Sequence, residues 1–305
     1  MCKKNILWFV LLISVTEVPA QPEQLRLLHE KTADELRNAV QNVRGVPGFR
    51  AFDLVRGERF GMNDTLVFPQ ASAIKIPILM EVFKQEHERK LSFREMMWVE
   101  KKKQVGGSGI LGELGDHTSQ LSVYDLCVLM IVLSDNTATN MLIERVGMDN
   151  VNVTLTSLGL KKTKLQRKML DQSASARGDE NLSTPAEAAR IMEILYRGEF
   201  IDRTVCEGIL ALLKKGKPEV GVVPGGIPEG IPVAYKSGDL AGVNTEWAIV
   251  YLPDLPYVLV MMESFGLGDE AMSSMRNISR ILYDYYSRLE HATKYGTYVL
   301  PPPGK

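Results

Sequence analysis

The sequence predicts an α/β (α+β) fold, an antiparallel sheet flanked by helices with an all-helical lobe inserted into it. Three observations predict it. Helical periodicity opens and closes the sequence, strand-like runs stand near both ends, and from Ala71 to about Leu213 the apolar spacing is mostly helical. A sheet assembled from both ends of the chain makes the intervening helices project as a second lobe. The cleft between lobes is then the default binding site.

Each element has its own signal. From Glu23 to Val43 apolar residues recur at helical spacing (Leu25, Leu28, Ala33, Leu36, Val40), and Gly45-Val46-Pro47-Gly48 stops the pattern. Phe49 to Val55 and Arg59 to Met62 flank Arg56-Gly57-Glu58 and read as a hairpin. Helices are expected over 72–88, 92–101, 123–133, 137–146, 149–158 and 185–196. Strand character returns at 233–236, 245–252 and 257–263, with Pro253-Asp254-Leu255-Pro256 turning the last two into a hairpin. A final helix is expected over 270–289, and the tail Leu300-Pro301-Pro302-Pro303 is unsuited to packed structure.

The N-terminus has the three regions of a signal peptide: Lys3-Lys4, the apolar run Ile6 to Val15, and Val18-Pro19-Ala20. Cleavage after Ala20 and an exported protein, periplasmic or secreted, are expected. No other segment is long enough to be a transmembrane helix. Among 305 residues, 45% are hydrophobic and 24% charged, and the formal net charge of -1 gives no electrostatic argument for a nucleic-acid or membrane-surface partner, so neither is expected. Lys101-Lys102-Lys103 is the one tight basic run and reads as a solvated helix end. Two cysteines, Cys127 and Cys206, would remain after cleavage, either as one disulfide or as two buried thiols. Four scattered histidines without ligand spacing give a zinc site little support, and no Gly-rich string ends in Gly-Lys-Ser/Thr. No metal and no cofactor are expected, and a monomer is.

Chemistry concentrates in Pro69 to Leu79, an apolar stretch that carries Lys75 three residues after Ser72. On one helix face the lysine amine reaches the serine hydroxyl. A serine is a weak nucleophile until a base takes its proton, and a lysine serves when burial lowers its pKa. The helix N-terminus adds unpaired N–H groups suited to an oxyanion. The plainer reading, a capping serine beside a snorkelling lysine, prevails for this pattern alone. Two further motifs alter that balance. Leu133-Ser134-Asp135-Asn136-Thr137 falls between two helices, and Tyr235-Lys236-Ser237-Gly238 closes a predicted strand.

Ser-x-x-Lys, Ser-Asp-Asn and Lys-Ser-Gly in that order make the chain resemble the class A β-lactamase family over most of its mature length. The resemblance implies a β-lactamase/transpeptidase-like fold and a single catalytic domain over 21–292. Its α/β lobe would span about 21–68 and 214–292, its helical lobe about 69–213, with 293–305 as a tail. It implies acylation of Ser72 by a β-lactam or a peptidoglycan-like peptide, with Lys75 in proton transfer and Ser134 relaying a proton to the leaving nitrogen. Asn136 would hold the substrate amide and contact Lys75, and Asp135 would fix the loop. Lys236 would supply positive potential and contact Ser134, while Ser237 would help bind the substrate carboxylate. Backbone N–H groups of Ser72 and Asp239, beside Gly238, would form the oxyanion hole. Antibiotic resistance or β-lactam catabolism would be the biological setting.

The chain departs from the family where a Glu-x-x-Leu-Asn loop is expected. Leu165 to Gln172 contains no glutamate, and Asp171 is the nearest carboxylate, either a deacylation base or a turn former. Asp239 follows Lys-Ser-Gly, where its charge would repel a carboxylate. The usual carboxylate-binding arginine is missing near Val243-Asn244-Thr245-Glu246, with Arg276 or Arg280 as replacements or as surface residues. Some members link Cys127's position to one that Leu79 occupies here. Val105-Gly106-Gly107-Ser108-Gly109 is expected to rim the cleft or simply to turn the chain. Two rival readings stand beside hydrolysis: a penicillin-binding D,D-peptidase or esterase that deacylates slowly, and a non-catalytic β-lactam-binding sensor domain.

Overall fold

The computed structural model describes residues 23–298 apart from 42, 118, 218–220 and 294. The expected signal segment 1–20 and Leu300 to Pro303 lie outside the described residues. Helix α1 (Glu23–Gln41) turns Leu36 and Val40 inward and is followed by β1 (Val46–Asp53) and β2 (Arg59–Met62), joined by the expected hairpin. Short β3 (Phe68–Pro69) leads into a 3-10 turn, Ala71–Ile74, and then α2 (Lys75–His87). Pro77 sits in the first turn of α2, where its missing N–H has no intrahelical acceptor to lose, so the helix continues.

The helix expected over 92–101 does not form. Instead β4 (Met96–Trp98) pairs with β5 (Gln120–Ser122), and a 3-10 turn covers Lys101–Lys103. Phe93, Met97 and Val99 alternate with exposed positions at period two, and a distant partner strand overrides local helical spacing. Ser122 and Asp125 form a capping box that starts α3 (Val123–Val132). The lobe continues with α4 (Asn136–Val146), α5 (Met148–Ser157), the short α6 (Gln172–Ala176), β6 (Leu182–Ser183), α7 (Pro185–Arg197) and α8 (Arg203–Leu213). Thr184 caps α7 with Pro185 at its first position, and Gly198 closes it in the left-handed region.

Strands β7 (Val233–Leu240), β8 (Val243–Val250) and β9 (Tyr257–Ser264) complete an antiparallel sheet of order β2-β1-β9-β8-β7, and α9 (Gly268–His291) ends the fold. Both faces of the central strands are buried. Trp247, Ile249, Val258 and Val260 join the core of the helical lobe, while Ala248, Val250, Leu259 and Met261 pack under α1 and α9. This two-sided burial makes 247–250 of β8 and 257–262 of β9 continuous apolar runs, whereas the first half of β8 buries Asn244, Thr245 and Glu246. Cys127 and Cys206 are buried free thiols, and burial pushes the Cys127 thiol up. Among the described residues, no helix is long and apolar enough to cross a membrane.

Candidate active site

Ser72 lies in the 3-10 turn and Lys75 at the start of α2, so the motif spans the junction of the two. Lys75 Nζ lies 3.0 Å from Ser72 Oγ, 3.0 Å from Ser134 Oγ, 3.0 Å from Asn136 Oδ1 and 2.6 Å from the Ser134 carbonyl. An ammonium has three hydrogens, so it cannot donate to all four at once. A neutral amine has a lone pair that can accept the Ser72 hydroxyl proton. Lys75 is 0% exposed, and burial, reinforced by the positive charge of Lys236, holds its amine well below the usual lysine range. Asp135 and Asp239 oppose that shift through their charge.

A buried polar set fixes the turn before Ser72. Gln70 accepts from Trp247 Nε1 (2.9 Å), donates to the Phe68 carbonyl (2.8 Å), and takes the Thr245 hydroxyl on its own carbonyl (3.0 Å). The lone glutamine in Phe68-Pro69-Gln70-Ala71 was the available sequence signal for this support. Ala71 (φ 44°), Ser134 (φ 52°) and Leu170 (φ 59°) all hold left-handed backbone without being glycine. Such conformations cost about 1–3 kcal/mol each and collect at functional sites.

Asp135 caps α4 by accepting from Ala138 N (2.8 Å), and also accepts from Ile110 N (2.7 Å) and Leu111 N (2.8 Å). The Ser134-Asp135-Asn136 loop is thereby bound to the Gly-rich segment. Asn136 Nδ2 donates to the Gly106 carbonyl (3.1 Å), and Val105 exchanges bonds with the Thr137 hydroxyl. A Cβ on Gly109 (φ 102°) would fall 2.2 Å from the Asp135 carboxylate, so only glycine fits there. The segment rims the cleft through Gly107 and Ser108 with its backbone tied down.

Strand β7 closes the other side. A Cβ at Gly238 would meet Ser72 N at 2.5 Å, so β7 can reach the serine turn only as glycine. Lys236 is 4% exposed and donates to the Ser237 carbonyl (2.6 Å); among the described residues it has no hydrogen bond to Ser134, although both line one recess. Burial lowers its pKa to about 8 against the charges of Glu246 and Asp239. Glu246 points away from the cleft mouth: it is 0% exposed and accepts from Val222 N (2.9 Å) and Val223 N (2.8 Å). Burial raises its pKa to about 7. Arg280 pairs with Asp284 and Arg276 packs beside Gly225, so neither lines the cleft.

The floor is the segment before β6. Asn181 accepts from Gln166 N and Arg167 N, Arg167 pairs with Glu180 (2.8 Å), and Asn140 bonds both ways with Met169. Gln70 N donates to the Asn181 carbonyl (2.8 Å), joining this floor to the serine turn. Leu170 and Asp171 line a cleft of about 600 Å³ together with Ser72, Asn136 and Asp239. The Asp171 carboxylate accepts from Ala174 N (2.9 Å) as the cap of α6. Leu170, 43% exposed, is the side chain presented at the floor, and attention to carboxylates alone missed it. A larger groove of about 770 Å³ beside Tyr196, Arg203 and Tyr251 contains none of these residues.

Ser72, Lys75, Ser134, Asn136, Lys236, Ser237, Gly238 and Asp239 thus meet around one cleft, with Asp171 at its floor. The model of the beta-lactamase enzyme family matches residues 31–286. An imipenem-hydrolyzing beta-lactamase of Enterobacter cloacae is 25% identical over 226 residues, 72% of this chain and 77% of that protein. A beta-lactamase structure from Sphaerobacter thermophilus superposes with a TM-score of 0.76 at 28% identity, covering 85% of this chain and 97% of that one. A leucine-to-glutamate variant of PBP-A, solved as an acyl-enzyme with penicillin G, superposes with a TM-score of 0.76 at 26% identity, covering 86% and 97%. A match that runs from the first helix to the last, on a fold shared with these structures, shows that the chain belongs to the beta-lactamase enzyme family.

Proposed function

We propose that this protein is an exported, monomeric serine β-lactamase that opens β-lactam amides through an acyl-enzyme on Ser72. The observation that carries the reading is the buried Lys75 amine, 3.0 Å from both Ser72 Oγ and Ser134 Oγ. Neutral Lys75 takes the Ser72 proton as Oγ bonds to the lactam carbonyl carbon. Backbone N–H groups of Ser72 and Asp239 receive the oxyanion, and Asn136 holds the substrate amide. As the C–N bond breaks, Ser134 gives its proton to the nitrogen and is reprotonated by Lys75. The proton that Ser72 loses is thus balanced by the one the leaving nitrogen gains, with Lys75 neutral and Ser134 protonated again. Water then cleaves the ester.

Release is the demanding half. Leu170 offers no base, Asp171 is committed to its cap, and Glu180, the other carboxylate of the loop that lines the cleft, is paired with Arg167 and accepts from Ser175, which favours slow deacylation of the penicillin-binding type over rapid turnover. Steady hydrolysis of nitrocefin tests the assignment. The wild type is expected to turn over, and Ser72→Ala to lose about a thousandfold or more; unchanged turnover in Ser72→Ala would overturn it.

A further inference from the structure

We propose that Lys217 is the specificity-determining cation of the cleft, its ammonium receiving the carboxylate of an anionic amide substrate. The inference rests on the serine-hydrolase reading and adds the substrate charge class that the site selects. A recess of about 190 Å³ is lined by Ser134, Lys236 and Ser237 and also by Lys217. Two lysines and one acid, Asp239, face this recess, leaving it net positive. Lys236 is buried and already donates to the Ser237 carbonyl. Lys217 is exposed, and among the described residues its ammonium has no hydrogen-bond or ion-pair partner. It is the cation with capacity to spare.

Its position is built by the segment that carries it. The Tyr235 hydroxyl donates to the Lys217 carbonyl. Gly216 and Gly221 lie against the Tyr235 ring so closely that a Cβ would fall 2.4 Å and 2.8 Å from ring carbons. Glu246 then holds Val222 and Val223 by their N–H groups. Tyr235 immediately precedes Lys236, so one residue of β7 fixes the backbone that presents the second lysine. With Glu246 turned inward and Arg276 and Arg280 outside the recess, Lys217 is the exposed cation that lines it.

The test compares benzylpenicillin with its methyl ester, which removes only the negative charge. Acylation of Ser72 is followed by intact mass in wild type, Lys217→Ala, Lys217→Gln, Lys217→Arg and Tyr235→Phe. Wild type is expected to prefer the acid. That preference should fall roughly five- to tenfold in the alanine and glutamine variants, stay within about twofold in the arginine variant, and fall partially in Tyr235→Phe, a positioning residue. It should also shrink as salt rises. Equal handling of acid and ester by wild type, or an unchanged preference in Lys217→Gln, overturns the inference while leaving acylation at Ser72 intact. Failure of both compounds to acylate wild type overturns the serine reading and this inference together.

Discussion

Lys75 is buried among four oxygen acceptors, and burial is what makes its amine available as a base rather than a fixed cation. The complementary residue is Leu170. It occupies the cleft floor within the same pocket as Ser72 and contributes no titratable group. Because Leu170 already holds φ at 59°, another unbranched-Cβ residue there meets the same backbone cost. Leu170→Glu is therefore expected to fold and to place a carboxylate beside the acyl-enzyme. Deacylation of a penicillin adduct, followed by the loss of adduct mass after substrate removal, should quicken by about a hundredfold. An adduct lifetime unchanged from wild type would show that the floor residue does not limit release.

Strand β8 carries opposite duties on successive residues: Thr245 and Trp247 support the serine turn through Gln70, while Glu246 anchors Val222 and Val223 on the other face. Burial raises the Glu246 pKa from 4.5 to about 7, so the folded protein binds this proton more tightly than the unfolded chain does. Stability from this group is present below about 4.5 and is lost as pH rises through about 7. Lys236, depressed to about 8, works in the opposite sense: its contribution is present above 10.5 and is lost as pH falls through about 8. Thermal melts of wild type from pH 5 to 8 are expected to show a decline that Glu246→Gln lacks. Parallel curves would contradict the assignment. Strand β9 and the second half of β8 were legible in the sequence because burial on both faces leaves the apolar runs 247–250 and 257–262. The pairing of Met96–Trp98 with Gln120–Ser122 was not, since the partner is distant and the local spacing imitates a helix. That Ser72, Lys75 and Ser134 come together was legible because residue type and order mark them. The cap that Asp171 makes on α6 fits the turn former the residue type suggested, whereas the left-handed backbone at Leu170 was hidden because a leucine does not signal it.

The two lobes make the site jointly. The helical lobe supplies Ser72, Lys75 and Ser134, and the sheet supplies Lys236 to Asp239, with Gly238 allowing the two to touch. Lys75 takes its hydrogen-bond partners from the helical part and feels the positive charge of Lys236 on β7, so its environment draws on both. The direct test is an intact-mass time course of wild type and Ser72→Ala mixed with benzylpenicillin. The expected result is a wild-type adduct of the full penicillin mass that forms within the first points and decays slowly, with no adduct on Ser72→Ala. An equal adduct on both proteins, or none on wild type, would contradict a nucleophilic Ser72 activated by Lys75.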